Sequence, residues 1–263
     1  MRWDPGQYSR YGDERSRPFF ELMTRVEAAR AGAGDPSYVV DLGCGPGNLT
    51  RELADRWPGA QVVGVDSSPD MVDAAAEHAV DGRLRFEQGD IAGWRADHPV
   101  DIVVANAALH WVPGHVDLIA GLASALTPGG VLAFQVPDNF SEPSHTLLRD
   151  LRLSARWRDR LGEGADRGAG VERPERYLTA LVAAGLDADV WQTDYLHVLP
   201  GEDAVLEWVK GTALRPVLSL LTADADRQEF LAAYAEALRA AYPPQPFGTV
   251  FPFRRTFAVG RRG

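Results

Sequence analysis

The stretch Tyr38-Val39-Val40-Asp41-Leu42-Gly43-Cys44-Gly45-Pro46-Gly47 decides the fold. Two valines and a leucine make a short buried strand. Glycines then recur at alternate positions. Lacking a Cβ, they let the backbone turn tightly and come close to a ligand. Asn48-Leu49-Thr50-Arg51-Glu52-Leu53-Ala54 continues with helical spacing. Strand, glycine turn and helix start together form the unit at which open α/β sheets bind nucleotides.

The glycine spacing departs from the dinucleotide fingerprint, which places a third glycine three residues after the second. That position is Asn48, and Gly47 comes one residue early. Asp41, two residues before the first glycine, has no place in that fingerprint either. Both departures disfavour a nicotinamide dehydrogenase.

Downstream, Gln61-Val62-Val63-Gly64-Val65-Asp66 is a second strand closed by an acid. Asp66 lies about twenty residues past the turn, where a carboxylate can accept from ribose hydroxyls in this class of fold. Ser68 is a candidate cap for the next helix, with Pro69 at its first position. Leu84 to Ile91 is a third strand ending in Gly89-Asp90-Ile91. There Asp90 can accept from an exocyclic amine, and Ile91 can pack on a purine face. Asp101 to Trp111 is a fourth, with Asn106, His110 and Trp111 at its polar end. Leu126 to Pro137 reads as a helix end, a Pro128-Gly129-Gly130 turn and a fifth strand. Strands alternating with helical segments predict an α/β fold with a doubly wound, mostly parallel sheet.

Upstream, Arg17 to Val26 has apolar residues at helical spacing, with Pro18 near the first turn. Gln7, Tyr8, Tyr11 and Arg17 either fold over the ligand site as a lid or pack the helix against the sheet. The second half is less regular. Ser144 to Leu161 reads as an amphipathic helix carrying Arg149, Arg152 and Arg156. Arg173 to Gly185, Ala204 to Lys210 and Asp226 to Ala241 are helical. Val190 to Leu199 and Phe251 to Gly260 are strands.

Composition narrows the partners. Lys and Arg number 27 against 37 Asp and Glu, a net charge of −10. An acidic surface argues against nucleic acid as partner, because phosphate binding needs a basic face. It disfavours an anionic substrate unless arginines are gathered locally. The single cysteine, Cys44, sits inside the turn and reads as a small buried filler. No run approaches membrane-spanning length and Met1-Arg2-Trp3-Asp4-Pro5 lacks an apolar signal core. The expectation is therefore a cytoplasmic enzyme with no membrane partner and no metal site.

The acid-x-Gly-x-Gly-x-Gly string of Asp41, Gly43, Gly45 and Gly47 resembles motif I of the class I S-adenosyl-L-methionine (SAM) methyltransferases. Val65-Asp66, Gly89-Asp90-Ile91, Asn106 and Pro128-Gly129-Gly130 follow in the family order and spacing. The resemblance implies a Rossmann-like fold with seven strands, the last in sequence antiparallel, plus helical cap insertions near 140–170 and 200–245. It implies one domain over 1–263: an N-terminal lid or helix to residue 36, a SAM-binding half over 37–137 and a substrate-side half beyond. It further implies that Asp41 faces the cofactor's methionine end, that Gly43 and Gly45 border it, and that Asp66, Ser67, Met71, Asp90, Ile91 and Asn106 complete the cofactor site.

Trp3-Asp4-Pro5-Gly6-Gln7-Tyr8, Leu109-His110-Trp111-Val112, Gly211-Thr212-Ala213-Leu214-Arg215-Pro216 and Phe251-Pro252-Phe253-Arg254-Arg255 are similar to the trans-aconitate methyltransferase family. That likeness implies methyl esterification of a small-molecule carboxylate. An ionised carboxylate needs no general base, so no histidine has to be catalytic. The expected work is positioning, by His110 and Trp111 at the carboxyl edge of the sheet and by arginines that clamp the non-reacting carboxylates. Arg17 and Arg215 are the leading candidates, with Arg149 and Arg254 behind them and Gln7 and Tyr8 as further substrate contacts. For Arg149, Arg152 and Arg254 a surface salt bridge is the competing expectation. Methyl transfer to another small acceptor and non-catalytic SAM binding are the alternative functions.

Overall fold

The computed structural model describes residues 12–161 and 170–263. β1 (Tyr38–Leu42) lies at the centre of a seven-stranded sheet. It pairs in parallel with β2 (Gln61–Asp66) on one side and β4 (Val100–Asn106) on the other. β3 (Leu84–Gln88) extends the β2 side, and β5 (Leu126–Pro137) pairs in parallel with β4. β6 (Leu186–Leu199) and β7 (Thr249–Arg262) complete the order β3-β2-β1-β4-β5-β7-β6. β7 is antiparallel to both neighbours.

Successive strand residues point to opposite faces, and here both faces are covered. Val39, Val62, Ile102, Val104 and Val131 pack with α1 (Gly12–Ala29), through Phe19, Leu22, Met23 and Val26, and with α2 (Asn48–Arg56), through Leu53 and Ala54. Val40, Leu42, Val63, Val103 and Phe134 face the other way. They meet Ile119 and Leu122 of α4 (Ile119–Ser124) and Tyr177 and Leu181 of α7 (Pro174–Ala183). α3 (Pro69–Ala75) follows β2. This explains why β1, β2 and β4 read as continuous apolar runs. β1 is also where the strand order reverses, and such a switch point opens a crevice at the carboxyl ends of the strands.

Past β5, α5 (Pro143–Leu153), α6 (Arg158–Leu161), α8 (Ala204–Lys210), α9 (Arg215–Leu220) and α10 (Asp224–Ala241) gather over one end of the sheet. The expected single helix over 144–161 is two, broken at Ser154–Trp157, with α6 tied to α10 by Arg160–Asp226. Three further differences are local. α1 begins before Arg17 and carries a buried Pro18 in its interior. The Pro128-Gly129-Gly130 turn is absorbed into β5, with Gly129 at φ 76°. Ser68 occupies the cap position of α3 without a side-chain cap bond, and its backbone N–H donates to Asp66 Oδ1.

Candidate cofactor and acceptor site

The turn after β1 is pinned to β2. The N–H groups of Gly43 and Cys44 both donate to the Val65 carbonyl, at 2.7 and 3.1 Å. Asp66, at the end of β2, closes the other side: Oδ2 accepts from the Gly45 N–H and Oδ1 from the Ser68 N–H, each at 2.9 Å. Each carboxylate oxygen retains acceptor capacity beyond one bond. Asp66 therefore shapes the glycine turn and still offers acceptors. Asp90 accepts from the Ala92 N–H through Oδ1 at 3.0 Å, capping the short helix Ile91–Gly93.

Asp41 is buried at the turn's base. Thr50 of α2 donates to its Oδ2 at 2.7 Å, and Oδ1 accepts no hydrogen bond among the described residues. Burial is the main reason its pKa rises from 3.8 to about 6; Thr50 opposes the rise and the Asp66 charge adds to it. The Cys44 thiol is pushed up in the same way, mainly by burial, and is inert filler as expected.

All nine expected cofactor residues line one cavity: Asp41, Gly43, Gly45, Asp66, Ser67, Met71, Asp90, Ile91 and Asn106. The cavity fits SAM on two observations. Asp41 holds a buried carboxylate oxygen that an ammonium group would satisfy. Gly45, at φ 56°, has no atom within 4 Å of where a Cβ would stand, so its backbone is bared to the cavity.

A second cavity adjoins the first, and Asn106, Ala107 and Trp111 line both. Ala107 is the one non-glycine residue at positive φ among the described residues, at 52°. Such backbone is uncommon outside glycine and costs on the order of 1–3 kcal/mol. It lets the chain turn sharply between the two cavities. His145, Leu148, Arg149 and Arg152 of α5 line the second cavity, with Thr212, Ala213, Pro216 and Val217 around α9. Trp208, Phe253 and Arg255 close it. No Asp or Glu lines it among the described residues.

The arginines divide differently from expectation. Arg152 is 3% exposed and Arg149 half-exposed; both line the cavity from α5, and Arg149 also makes the expected surface pair, with Asp150 at 3.9 Å. Arg255, unassigned in the sequence reading, is 5% exposed on β7 and faces it too. Arg254, its neighbour, points to the opposite side and pairs with Asp194 at 2.8 Å. Arg156 likewise pairs with Asp226 and Glu229. Arg17 is not brought to this cavity: it lies exposed on α1, paired with Glu21 at 2.9 Å and set over the Tyr195 ring. Arg215 opens α9 beside the cavity, but its side chain lies outside the described part, as do Gln7, Tyr8 and Tyr11.

His110 and Trp111 sit where expected, at the carboxyl edge past β4, their rings 4.8 Å apart. His110 is buried and its Nδ1 makes no hydrogen bond among the described residues. Burial first, then the charges of Arg255 and His115, push its pKa down to about 3. His145 falls to about 4 by burial. Both imidazoles are neutral at physiological pH.

This sheet, with a bared glycine turn and a buried acid at its switch point, defines a class I SAM-dependent methyltransferase. The methyltransferase domain family matches residues 39–130. The trans-aconitate 2-methyltransferase of Streptomyces avermitilis is 53% identical, over 99% of this chain and 97% of that protein. That of Mycolicibacterium gilvum is 49% identical over 98% of each, and that of Mycobacterium tuberculosis 45% identical over 99% and 97%. The chain belongs to the trans-aconitate 2-methyltransferase family. Among solved structures, the YcgJ protein of Bacillus subtilis superposes with TM-score 0.58 at 18% identity, covering 93% of this chain and 98% of that one. The Haemonchus contortus phosphoethanolamine N-methyltransferase 2 bound to SAM superposes at 0.55 and 17%, covering 93% and 52%. These likenesses show the fold.

Two expected results test the cofactor cavity. Asp66→Ala should weaken SAM binding by about 1–3 kcal/mol, a roughly 5- to 160-fold rise in the dissociation constant, since it removes acceptors and loosens Gly45. An unchanged constant by calorimetry would refute the ribose assignment. SAM affinity should also depend on pH through Asp41. A bound ammonium stabilises the carboxylate, so the pKa falls on binding and protons are released. Affinity is then full above about pH 6 and declines as pH falls through it. Calorimetry at about pH 5.5, where the ligand's own α-amine is fully protonated, should give different heats in two buffers of different ionisation enthalpy. Identical heats at pH 5.5 would exclude Asp41 from the binding.

Proposed function

We propose that the chain esterifies one carboxylate of trans-aconitate with the methyl group of SAM, yielding a monomethyl ester and S-adenosylhomocysteine. The observation that carries the reading is the second cavity. In a protein of net charge −10, it gathers Arg149, Arg152 and Arg255 and no carboxylate among its described lining. The family members named for this activity agree with it. No helix among the described residues is long and apolar enough to cross a membrane.

When bound, SAM supplies an electrophilic methyl group on a sulfonium. A carboxylate oxygen would take up that methyl, with S-adenosylhomocysteine as the leaving group. No proton moves. The protein's work is therefore orientation and exclusion of water. Arg149, Arg152 and Arg255 hold the non-reacting carboxylates, for which a planar guanidinium fork is suited. A tight ion pair at the attacking oxygen would lower its nucleophilicity, so the clamp belongs at the far end. Opposite charges cancel as the bond forms, and water favours them apart. Phe140, Trp208, Val209, Val217 and Phe253 line the cavity and keep it dry. Holding oxygen, carbon and sulfur in line supplies several kcal/mol of the barrier reduction. Trp111 and Ala107, on both cavities, border the path of the methyl group.

A hydroxyl acceptor is the weaker reading. It needs a base near neutral pKa. His110 and His145, depressed to about 3 and about 4, are poor bases. Incubating the protein with SAM and, in turn, trans-aconitate, citrate, isocitrate and a phenol tests the choice. Ester from trans-aconitate is expected. Methylation of the phenol alone, or of no carboxylate, would overturn the proposal.

A further inference from the structure

Three polar side chains from three adjacent strands form a row beneath the junction of the two cavities. Asn106 ends β4, and its register partner on β5 is Gln135. Arg255 of β7 pairs with Pro137, two residues along β5 on the same face. Gln135 is fully buried, between Phe134 and Val136 in sequence. A buried amide is costly unless its ends are bonded, and both of its ends are. Arg255 donates to Gln135 Oε1 at 2.9 Å, and Gln135 Nε2 donates to Asn106 Oδ1 at 2.7 Å.

Donor chemistry removes any choice in this row. A guanidinium donates and never accepts, so the atom facing Arg255 must be the Gln135 oxygen. The Gln135 nitrogen must then face Asn106, and the atom it meets must be the Asn106 oxygen. Asn106 is left with its NH2 group, which donates to no acceptor among the described residues, on the lining of both cavities. The backbone reinforces the arrangement: the N–H of Ala107 donates to the Gln135 carbonyl at 2.9 Å, so one residue fixes both the Asn106 amide and the turn after it.

We propose that Arg255 and Gln135 act as positioning residues that lock the polarity of Asn106, so that its NH2 group donates to the carboxylate that accepts the methyl. This rests on the carboxylate acceptor proposed above. An acid oxygen can only accept, so an Asn106 turned the other way would repel it. The donor engages the oxygen that does not attack, fixing the plane of the carboxylate while the other oxygen stays free. Arg255 thus acts on the reacting group through two amides, in addition to lining the acceptor cavity.

Gln135→Glu tests the relay. It keeps the shape and the acceptor for Arg255 but replaces the Nε2 donor with a second acceptor oxygen. Asn106 must then turn its NH2 toward residue 135 and its oxygen toward the cavity. The expected result is at least a tenfold loss of kcat/KM for trans-aconitate, larger than any accompanying rise in the Kd for S-adenosylhomocysteine. Gln135→Leu removes both bonds but imposes no wrong polarity. The relay predicts that it retains more activity than Gln135→Glu, whereas a purely architectural role predicts the reverse. Melting curves report whether each variant folds. Asn106→Asp, at a strand end, provides a second arm: it accepts from Gln135 as before but offers an anionic oxygen to the substrate. About a hundredfold loss in kcat/KM is expected, well beyond any loss of affinity for S-adenosylhomocysteine, whose cavity Asn106 also lines. Equal losses for cofactor product and acceptor would overturn the proposal, as would wild-type behaviour of either charged variant. If the wild-type protein itself esterifies no carboxylate, the functional reading fails first, and the relay falls with it.

Discussion

Gly45→Val is expected to take SAM binding to the calorimetric baseline, a loss of about a thousandfold or more, about 4 kcal/mol, while the protein still melts in one transition. Two effects combine. The residue sits at φ 56°, a conformation that L-residues adopt at a cost and β-branched ones most of all. Its missing Cβ also faces open space within the cofactor cavity, so valine methyls would stand where the ligand must lie. Neighbouring Gly43 supplies the contrast. An added Cβ there would stand 2.2 Å from the Ala108 Cβ, inside packed structure. Substituting Gly43 therefore distorts the turn itself and lowers the melting temperature. Substituting Gly45 fills the site and adds backbone strain at one residue without a packing clash. Binding of S-adenosylhomocysteine by Gly45→Val within tenfold of wild type would show that the cofactor does not cross this turn.

Arg152→Met is expected to raise KM for trans-aconitate about a hundredfold or more, with S-adenosylhomocysteine affinity within twofold. Methionine keeps an unbranched chain of adaptable shape and removes only the charge and the fork. Removing one partner of a desolvated, hydrogen-bonded charge pair costs on the order of 2–5 kcal/mol, and Arg152 is buried on the wall of the acceptor cavity. Arg149→Met should cost less, about tenfold, since its half-exposed guanidinium is screened by water. Steady-state kinetics with each substrate varied in turn separate the effects. Equal losses for acid and cofactor would make Arg152 architectural.

The cofactor half was legible because its requirements are local. A turn that bares its backbone needs glycine, and the acids that border it close strands whose apolar runs are plain, as in Gln61–Asp66. The acceptor half depends on which side of an element a side chain takes. On α5, His145, Leu148, Arg149 and Arg152 recur at i, i+3, i+4 and i+7, one helical face, while Arg156 falls past the break at Ser154 and pairs with Asp226 and Glu229. On β7 the alternation Phe251, Phe253, Arg255, Phe257 marks an inward row. Period-two counting would have chosen Arg255 over Arg254, whose outward position gives it Asp194. For Arg17 the local signal pointed to the surface: its partner Glu21 lies one helical turn away, and such pairs are common on exposed helix faces.

The insertion of β7 between β5 and β6 has a consequence for how the enzyme comes into being. The sheet leaves a slot between two strands translated far earlier, and the segment that fills it carries Arg255. A ribosome that has delivered the glycine turn, both acids, all of α5 and β6 has made a chain whose slot still has two open strand edges and whose acceptor wall is unfinished. Closing that slot ties pairings of long sequence separation, Gln135 to Phe257 among them, to the maturation of the acceptor wall. Competence to discriminate among acids therefore arrives late in biosynthesis, together with protection of the edges from mispairing.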